Sequence, residues 1–341
     1  MSSPPKVSVL IPTFNYARYL PEAIESVLQQ DFGDFELLIS DDASADGSAG
    51  IVRGYAARDR RIRAQVQPRN LGMVANWNWC LHEARGDYVK FVFGDDRLVG
   101  PHALRTLAAR LDAAPGAVMA ASARQVLDEQ SRAIAIWDEL KTAGTHPGAH
   151  LISHCLRHNR NLIGEPSAVM LRRAAAARGF DPRYKQVVDL ELWMHLLRSG
   201  DLVYEPEALC AFRRHPLQQT VQNRRDGIGP LESLQLLSSY LDFLDPPGCA
   251  QRGLPSSHRT LYRNLHYARK HAPRTPEVRA LERHLHHRIA APWYFLYGLE
   301  HRLTKPFHNF SRAWRRLVDA PDSPPGMRPL RPTLPGGGGS R

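Results

Sequence analysis

Long apolar segments are absent from this 341-residue sequence. A helix that spans a bilayer needs about 18 or more mostly apolar residues in a row, and no stretch of the chain approaches that length. The first residues also lack the pattern of a secretory signal peptide, because Lys6 is followed at once by an apolar segment that ends at Pro12. We therefore expect a cytoplasmic chain that does not cross a membrane.

Cysteine is scarce as well, and its spacing argues against a metal-binding motif or a disulfide framework. Four cysteines are scattered along the chain, and we expect them to be reduced thiols: Cys80, Cys155, Cys210 and Cys249. No internal repeat is present. The hydrophobic content of 43% suffices for one sizeable α/β domain with an appendage.

Basic residues are concentrated in the last quarter of the chain. Residues 251–341 hold 17 Lys and Arg against 5 Asp and Glu, whereas residues 1–250 hold 28 against 29. Apolar spacing predicts helices over 259–271 and 277–289. Basic and aromatic residues alternate here, which favours either a surface on anionic lipid or a basic appendage packed on the preceding domain or a second subunit. No motif indicates nucleic-acid binding.

The composition also predicts the outer boundaries of the chain's parts. From about residue 319 the sequence is rich in proline and ends in a glycine run, which predicts a disordered tail over 319–341. The basic helical extension then covers 236–318, and one α/β domain covers 1–235.

The N-terminal segment has the pattern of a βαβ unit. An apolar strand over residues 6–12 precedes a helix whose apolar residues recur at helical spacing from Leu20 to Leu28. A second apolar strand, over 35–40, leads into Asp41 and Asp42. Because such units are right-handed and their strands parallel, both strands should end at the same edge of one sheet.

A second pair of carboxylates follows another apolar segment. Residues 88–93 predict a buried strand, and Asp95 and Asp96 come directly after it. Paired carboxylates at the carboxyl edge of a sheet suit a divalent cation, which can neutralise phosphate oxygens. The alternative is a solvated turn with an Asp capping the helix after Pro101. Two such pairs at the ends of two strands favour a shared site.

These motifs resemble those of family 2 glycosyltransferases, which have the GT-A fold: a Rossmann-like α/β domain with a mixed, mainly parallel sheet flanked by helices. The resemblance covers roughly residues 5–220, with its motifs in the expected order: VSVLIPTFNYARYLPEAIESVLQQDFGDFELLISDDASADGS, NLGMVANWN, GDYVKFVFGDD, VDLELW and FRRH. It implies an enzyme that moves a sugar from a nucleotide-diphospho-sugar to an acceptor. It does not identify the sugar.

The resemblance places the nucleotide base over the first two strands. It implies that Asp42 accepts a hydrogen bond from the base, that Pro12 and Thr13 line the same pocket, and that Asn15 either binds the donor or supports the loop. Asp41 is expected to hold the loop through backbone amides.

Two further residues are predicted to reach the donor. Arg69 follows the third predicted strand, so its guanidinium either contacts the base or diphosphate or is an ordinary surface group. Asn76 is the better ligand-facing residue of the next helix, because Trp77 and Leu81 are spaced i and i+4 on its presumed core face.

The second carboxylate pair is assigned by the same resemblance. Asp95 is implied to bind the ribose hydroxyls and Asp96 to hold Mn²⁺ or Mg²⁺ against the diphosphate. The chain departs from the common Asp-X-Asp pattern, since Gly94 stands two residues before Asp96. Near the end of the matched region, His215 is a candidate ligand for the metal or a phosphate oxygen, or an incidental loop residue. Arg213 is a candidate for offsetting leaving-group charge.

The acceptor side is predicted from residues 165 and 184–198. Asp189 stands where the family has its catalytic Asp, and we expect it to be the general base; the alternative is ordinary N-terminal capping of the helix. Val188 replaces the family's usual acid there. Glu191 is the fallback base or an acceptor-side residue, and Glu165 is expected to line the acceptor pocket.

Together these features predict a metal-dependent inverting glycosyltransferase. Its acceptor is expected to be a glycan or a lipid-linked sugar in bacterial surface polysaccharide or lipopolysaccharide assembly, reached at the inner face of the cell membrane. One alternative is a nucleotidyltransferase that makes a sugar nucleotide, although the loop after the first strand, PTFNYARYL, lacks the glycines and lysine that hold a triphosphate. Another is a non-catalytic scaffold with a vestigial nucleotide pocket.

Overall fold

A computed structural model of the chain describes residues 4–216, 218–226, 228–244, 256–271, 275–287, 297 and 327–329. The first half of the fold alternates strands and helices, as the apolar pattern predicts. Its elements are β1 (Val7–Thr13), α1 (Leu20–Leu28), β2 (Phe35–Asp41), α2 (Ser48–Ala56), β3 (Ile62–Val66), α3 (Met73–Glu83) and β4 (Tyr88–Phe91).

Four of these strands form the parallel part of the sheet, in the order β3-β2-β1-β4. All seven residues of β1 are buried, because helices cover the sheet and β1 lies between β2 and β4. Thr13 pairs with Asp41 at the end of the β1–β2 ladder, so the carboxyl ends of these strands reach one edge. This is the edge at which parallel α/β sheets bind ligands.

The second half of the domain makes the sheet mixed. Its elements are β5 (Arg97–Leu98), α4 (Ala103–Ala113), β6 (Ala117–Leu127), β7 (Ala133–Trp137), β8 (Gly144–His146), α5 (Gly148–His158), a 3₁₀ turn (Pro166–Ala168), β9 (Val169–Arg172), α6 (Val188–Leu197) and β10 (Asp201–Arg213). Strand β9 is antiparallel to both β4 and β6, and β10 is parallel to β6. The predicted α/β sheet flanked by helices is therefore confirmed.

Helix α1 illustrates how the local sequence specifies an element. Leu20, Ile24 and Val27 recur at helical spacing and are buried against the core. Proline stands in its first turn, where a missing backbone N–H costs no hydrogen bond.

The C-terminal elements are α7 (Gln219–Arg225), α8 (Ile228–Ser239), α9 (Ser256–His271), α10 (Pro276–His287) and β11 (Met327–Pro329). Helix α9 contacts α8 and α5 and buries Leu261 and Leu265. The alternative in which the basic segment packs on the preceding domain thus holds for α9. The predicted domain boundary after residue 235 falls inside α8.

Other predictions for the C-terminal region have mixed outcomes. Strand β11 pairs antiparallel with β7, so the prediction of disorder is wrong for Met327–Pro329; the rest of 319–341 lies outside the described residues. Most of the aromatic residues after residue 290 also lie outside them. Three cysteines are buried and free, as predicted, and Cys249 is not among the described residues. Within the described ranges, no helix is both long enough and apolar enough to span a membrane.

Candidate active site

A cavity of about 600 Å³ opens at the carboxyl edge of the sheet, where β1, β2 and β4 end. Its walls bring together residues that are far apart in the sequence, including Thr13, Asp42, Asp96, Glu165 and Asp189. The two predicted carboxylate pairs therefore open onto one shared cavity through Asp42 and Asp96. This convergence follows from the topology, because β2 and β4 lie on either side of β1.

The Asp42 carboxylate organises the loop that leads into α3. Its two oxygens accept hydrogen bonds from the backbone N–H groups of Leu71 at 2.7 Å and Gly72 at 3.0 Å. The Asn70 side chain donates to the Asp42 carbonyl at 3.0 Å. Each carboxylate oxygen has a second lone pair, so Asp42 can still accept a hydrogen bond from a ligand. Asp41 accepts the backbone N–H of Ser44, as predicted for a loop-holding residue.

Residues of the β1 turn form the adjoining wall. Pro12, Thr13 and Asn15 all line the cavity, as predicted. Asn15 has a left-handed backbone, with φ of 58°, and its side-chain oxygen accepts the N–H of Ala45 at 2.9 Å. Its side chain thus supports the loop. The Thr13 hydroxyl is buried without a hydrogen-bond partner among the described residues, which leaves it available to a ligand.

Close packing explains why the chain departs from the Asp-X-Asp pattern. A Cβ atom built on Gly94 would lie 2.6 Å from the Thr13 hydroxyl oxygen and 3.1 Å from the Thr13 Cβ. An aspartate at position 94 would therefore displace Thr13 from the end of β1. Glycine is what this packing admits.

The two other predicted donor residues differ in position. Asn76 reaches the cavity wall, but its amide already accepts the Ser40 hydroxyl at 2.6 Å and joins α3 to β2. Arg69 is exposed and lies outside the cavity lining, so its assignment to the donor site is wrong. The loop turns Asn70 inward onto the backbone of Asp42 and leaves Arg69 on the outer side.

Asp96 is the buried carboxylate that best fits a cation. One oxygen accepts the backbone N–H of Arg213 at 3.0 Å, and the other is buried without a hydrogen-bond partner among the residues that the structure describes. Burial, followed by the Asp95 charge, raises the pKa of Asp96 well above its ordinary value. A hard cation bound to Asp96 would stabilise the ionised carboxylate, since carboxylate oxygens are the preferred ligands of such cations. No group of three or more acidic, His or Cys side chains converges on such an ion within the described part of the chain.

The structure contradicts the assignment of His215 as a metal ligand. The imidazole lies behind the cavity wall, where its Nε2 atom is 3.0 Å from an oxygen of Asp95. Its ring meets that of Tyr16 edge to face at 5.7 Å and also contacts Tyr19. His215 therefore holds the Asp95 carboxylate from behind rather than facing a ligand.

Arg213 is likewise withdrawn from the cavity, so its assignment to the donor is wrong. Its guanidinium is fully buried and packs over the Tyr19 ring at 4.4 Å. It donates to the Asp95 carbonyl at 2.8 Å and the Ser131 hydroxyl at 2.7 Å, and pairs with Glu22 at 2.7 Å. With these partners it joins β10 to α1 and cannot offset the charge of a leaving group.

Asp189 lies in the first turn of α6 and lines the cavity. Its carboxylate accepts the Asn161 side-chain amide at 2.9 Å and the Leu190 backbone N–H at 2.7 Å. The N-cap position is occupied by Val187, so capping does not explain Asp189. Burial raises the pKa of Asp189 to about 7, and the negative charge of Glu165 adds to the increase. A carboxylate with such a pKa suits general-base catalysis near neutral pH.

Only one of the two glutamates predicted on the acceptor side lines the cavity. Glu165 lines the cavity and pairs with the buried guanidinium of Arg124 at 2.5 Å. Glu191 is buried on the other side of α6, where it pairs with Arg178 and accepts the Tyr240 hydroxyl. The acceptor-side assignment of Glu191 is wrong because two residues along a helix turn a side chain by about 200° from Asp189.

Sequence interpretation also missed several cavity residues. Amide side chains from the segment around α7, together with Gln186, line the wall near Phe212: Gln218, Gln219, Gln222 and Asn223. Trp77 lines the wall too and stacks on Phe93, with ring centroids 4.6 Å apart. Asn161 was missed because its bond to Asp189 spans 28 residues.

Comparison with known proteins identifies the family. The model of the glycosyl transferase family 2 matches residues 8–176. The putative glycosyltransferase EpsE of Bacillus subtilis is 30% identical over 237 residues, which cover 65% of this chain and 81% of EpsE. A Campylobacter jejuni protein, GalNAc(5)-diNAcBac-PP-undecaprenol beta-1,3-glucosyltransferase, is 40% identical over 104 residues, which cover 30% of this chain and 33% of that one.

A solved structure supports the same fold. S. aureus TarS 1–349 in complex with UDP-GlcNAc superposes with a TM-score of 0.54 at 20% identity, over 81% of this chain and 83% of that one. The sheet order, the cavity at its carboxyl edge and these similarities agree. This chain belongs to glycosyltransferase family 2, has the GT-A fold and is a glycosyltransferase.

Proposed function

We propose that this glycosyltransferase is metal-dependent and inverting, and that it transfers a sugar from a nucleotide-diphospho-sugar to a hydroxyl of a glycan or lipid-linked acceptor. The observation that carries the proposal is the single cavity that joins Asp42, Asp96 and Asp189. Asp42 suits the nucleotide base, Asp96 suits a cation on the diphosphate, and Asp189 suits the acceptor hydroxyl. These are the groups that such a reaction must bind or activate.

The donor end of the cavity is assigned to the ends of β1 and β2. Asp42 keeps lone pairs for the nucleotide base, and the Thr13 hydroxyl has no other hydrogen-bond partner in the described structure. Asp95, held by His215, is assigned to the ribose hydroxyls. The wall contributed by Trp77 and Phe93 offers an aromatic surface to the donor or acceptor ring.

Charge balance supports a cation at Asp96. Of the described residues that line the cavity, only Lys185 is basic, whereas several are acidic. The departing nucleoside diphosphate gains negative charge that this lining cannot neutralise. Mn²⁺ or Mg²⁺ held by Asp96 would supply that neutralisation, with its remaining ligands coming from phosphate and water.

Asp189 is assigned as the general base. It removes the proton from the acceptor hydroxyl, whose oxygen then attacks the anomeric carbon while the nucleoside diphosphate leaves from the opposite face. Attack from that face inverts the anomeric configuration. Asn161 and the Leu190 amide hold the carboxylate in place, each occupying one of its oxygens and leaving lone pairs for the acceptor.

Nucleoside diphosphate release from a panel of UDP-, TDP- and GDP-sugars, with and without Mn²⁺, tests this function. We expect release that depends on Mn²⁺ and increases with a saccharide acceptor, and NMR of the product should show the anomeric configuration opposite to that of the donor. Production of a sugar nucleotide from a sugar phosphate and a nucleoside triphosphate would instead support a nucleotidyltransferase. A non-catalytic scaffold would bind a donor without releasing nucleoside diphosphate from it.

A lipid-linked acceptor is supported by the similarity to the C. jejuni enzyme, whose name includes an undecaprenol diphosphate. Surface polysaccharide assembly is the setting that we propose. Exposed basic residues on α9 and α10, among them Arg279 and Arg283, would then face anionic lipid at the inner side of the cell membrane.

Vesicle sedimentation tests the membrane contact. We expect binding to phosphatidylglycerol vesicles at low salt and release at high salt, because the attraction is electrostatic. Each basic residue near an anionic surface contributes about 1 kcal/mol, so Arg279→Gln with Arg283→Gln should weaken binding by roughly thirtyfold. Arg53→Gln with Arg60→Gln, on exposed sites of the N-terminal half, is the control. Equal binding to neutral phosphatidylcholine vesicles would contradict the proposal.

A further inference from the structure

The segment before the catalytic helix is held by a buried carboxylate from another helix. Glu232 of α8 accepts hydrogen bonds from three consecutive backbone N–H groups: Lys185 at 2.7 Å, Gln186 at 2.7 Å and Val187 at 3.1 Å. Its side chain is almost completely buried. Among the residues that the structure describes, no Lys or Arg forms an ion pair with this carboxylate.

The three amides explain why a carboxylate is required there. They immediately precede α6, which begins at Val188, so they are directed away from the helix and would otherwise be unsatisfied. The positive end of the helix dipole also favours a negative charge at this position. A buried carboxylate with three backbone donors is well compensated, whereas an amide at the same position would not be.

The anchored segment belongs to the active site. Lys185, Gln186 and Val188 line the cavity, and Asp189 is the next residue of α6. We propose that Glu232 is a positioning residue, which fixes the start of α6 and thereby places the Asp189 carboxylate towards the acceptor. This inference rests on the proposed role of Asp189 as the general base.

A second contact makes α8 part of the same support. Tyr240, which follows α8, donates its hydroxyl to Glu191 at 3.3 Å on the side of α6 opposite Asp189. Helix α6 is thus tied to this region both before its first turn and along its buried face.

A positioning role makes a different prediction from simple stabilisation: turnover should fall more than donor binding.

The variant Glu232→Gln tests this role with almost no change in shape. One carboxylate oxygen accepts from Lys185 and the other from Gln186 and Val187. The glutamine NH₂ group must replace one of these oxygens, so in either orientation an N–H faces an N–H. We expect kcat to fall about tenfold or more, the donor KM to stay within about twofold, and amides 185–187 to exchange hydrogen faster.

Glu36→Gln is the matched control. Glu36 is another buried carboxylate, which accepts the Ser8 hydroxyl at 2.6 Å and the Arg85 N–H at 2.9 Å, and pairs with Arg63. It stands near the start of β2, at the opposite end of that strand from the cavity. We expect Glu36→Gln to lower the melting temperature while kcat and exchange at amides 185–187 stay at wild-type levels.

The outcomes separate this inference from the proposed function. If Asp189→Asn is inactive but Glu232→Gln keeps the wild-type kcat, or if its amides 185–187 exchange no faster, the positioning role is wrong and the base assignment stands. If the kcat of Glu36→Gln falls as far as that of Glu232→Gln, the loss reflects stability alone and the positioning role is again wrong. If the wild type transfers no sugar or Asp189→Asn is fully active, the proposed function itself fails.

Discussion

Replacing Asp189 with Asn is expected to reduce sugar transfer by about 10²–10⁴-fold, the range that a general base contributes. Asparagine has nearly the same shape and can still accept the Leu190 N–H, but it loses the hydrogen bond from Asn161 and cannot take a proton from the acceptor. The proposed donor contacts, at Asp42 and Thr13, lie elsewhere in the cavity. Transfer should therefore be lost while the donor still raises the melting temperature as it does in the wild type.

The pH dependence gives this prediction a second readout. Because Asp189 must be ionised to act and burial raises its pKa to about 7, kcat/KM should rise from pH 5, reach half its maximum near pH 7 and level off above about pH 8. The same raised pKa has an opposite effect on stability. An unfolded Asp ionises near pH 3.9, so the folded protein is penalised as the pH rises from about 4 to 7 and carries the full penalty above 7. Asp189→Asn removes this penalty, so its melting temperature should fall less than that of the wild type as the pH rises from 5 to 8.

Asp181→Asn provides the control, since Asp181 pairs with Arg183 outside the cavity. Its transfer rate and pH profile should match those of the wild type. An Asp189→Asn enzyme that retains more than a tenth of the wild-type kcat, with the same pH profile, would contradict the assignment of Asp189 as the base.

The convergence of two carboxylate pairs could be predicted because it depends on topology alone. Apolar strands that end in Asp42 and Asp96 must bring those residues to one edge once the strands are parallel and the βαβ unit is right-handed. Periodicity was equally sufficient for α1 and for the strand before Asp95. These inferences needed only the apolar periodicity and the order of strands and helices along the chain.

Side-chain direction was harder to predict than element position. The order of motifs brought Arg213 and His215 to the correct region, but both side chains point into the protein, where Glu22 and Asp95 are their partners. These partners lie 191 and 120 residues away, so no local pattern reveals them. Glu191 is different, because its helical phase relative to Asp189 was visible in the sequence and already placed it on the opposite face.

Supporting residues were missed for a related reason. Asn161 and Glu232 act through single hydrogen bonds or backbone contacts that cross 28 to 47 residues, and neither belongs to a recognisable motif. The reason why glycine replaces the first Asp of the Asp-X-Asp pattern likewise became clear only from the structure, in which Thr13 lies close to Gly94. A sequence pattern identifies the groups that meet a ligand more readily than those that hold them in place.

Replacing Asp96 with Asn is expected to abolish metal-dependent transfer, with a loss of at least about 10²-fold if one charge-stabilising contact is removed from the transition state. The Asp96 oxygen that is buried without a hydrogen-bond partner in the described part of the chain would be lost as a cation ligand. Because burial disfavours the ionised form of Asp96 in the absence of a cation, the metal-free variant should be at least as stable as the wild type. This combination of lost activity and retained stability distinguishes a ligand from a structural residue.

Calorimetric melting with donor and Mn²⁺ checks the binding step directly. A ligand at a hundredfold excess over its Kd stabilises the native state by about 2.7 kcal/mol, so the wild type should show a clear increase in melting temperature when both are present. Asp96→Asn should show little or none of the Mn²⁺-dependent part, whereas Asp87→Asn, at an exposed site before β4, should respond like the wild type. EDTA should silence the wild type, and Mn²⁺ should restore it. Full transfer in EDTA, or an unchanged response of Asp96→Asn to Mn²⁺, would mean that the charge of the departing diphosphate is offset by another group.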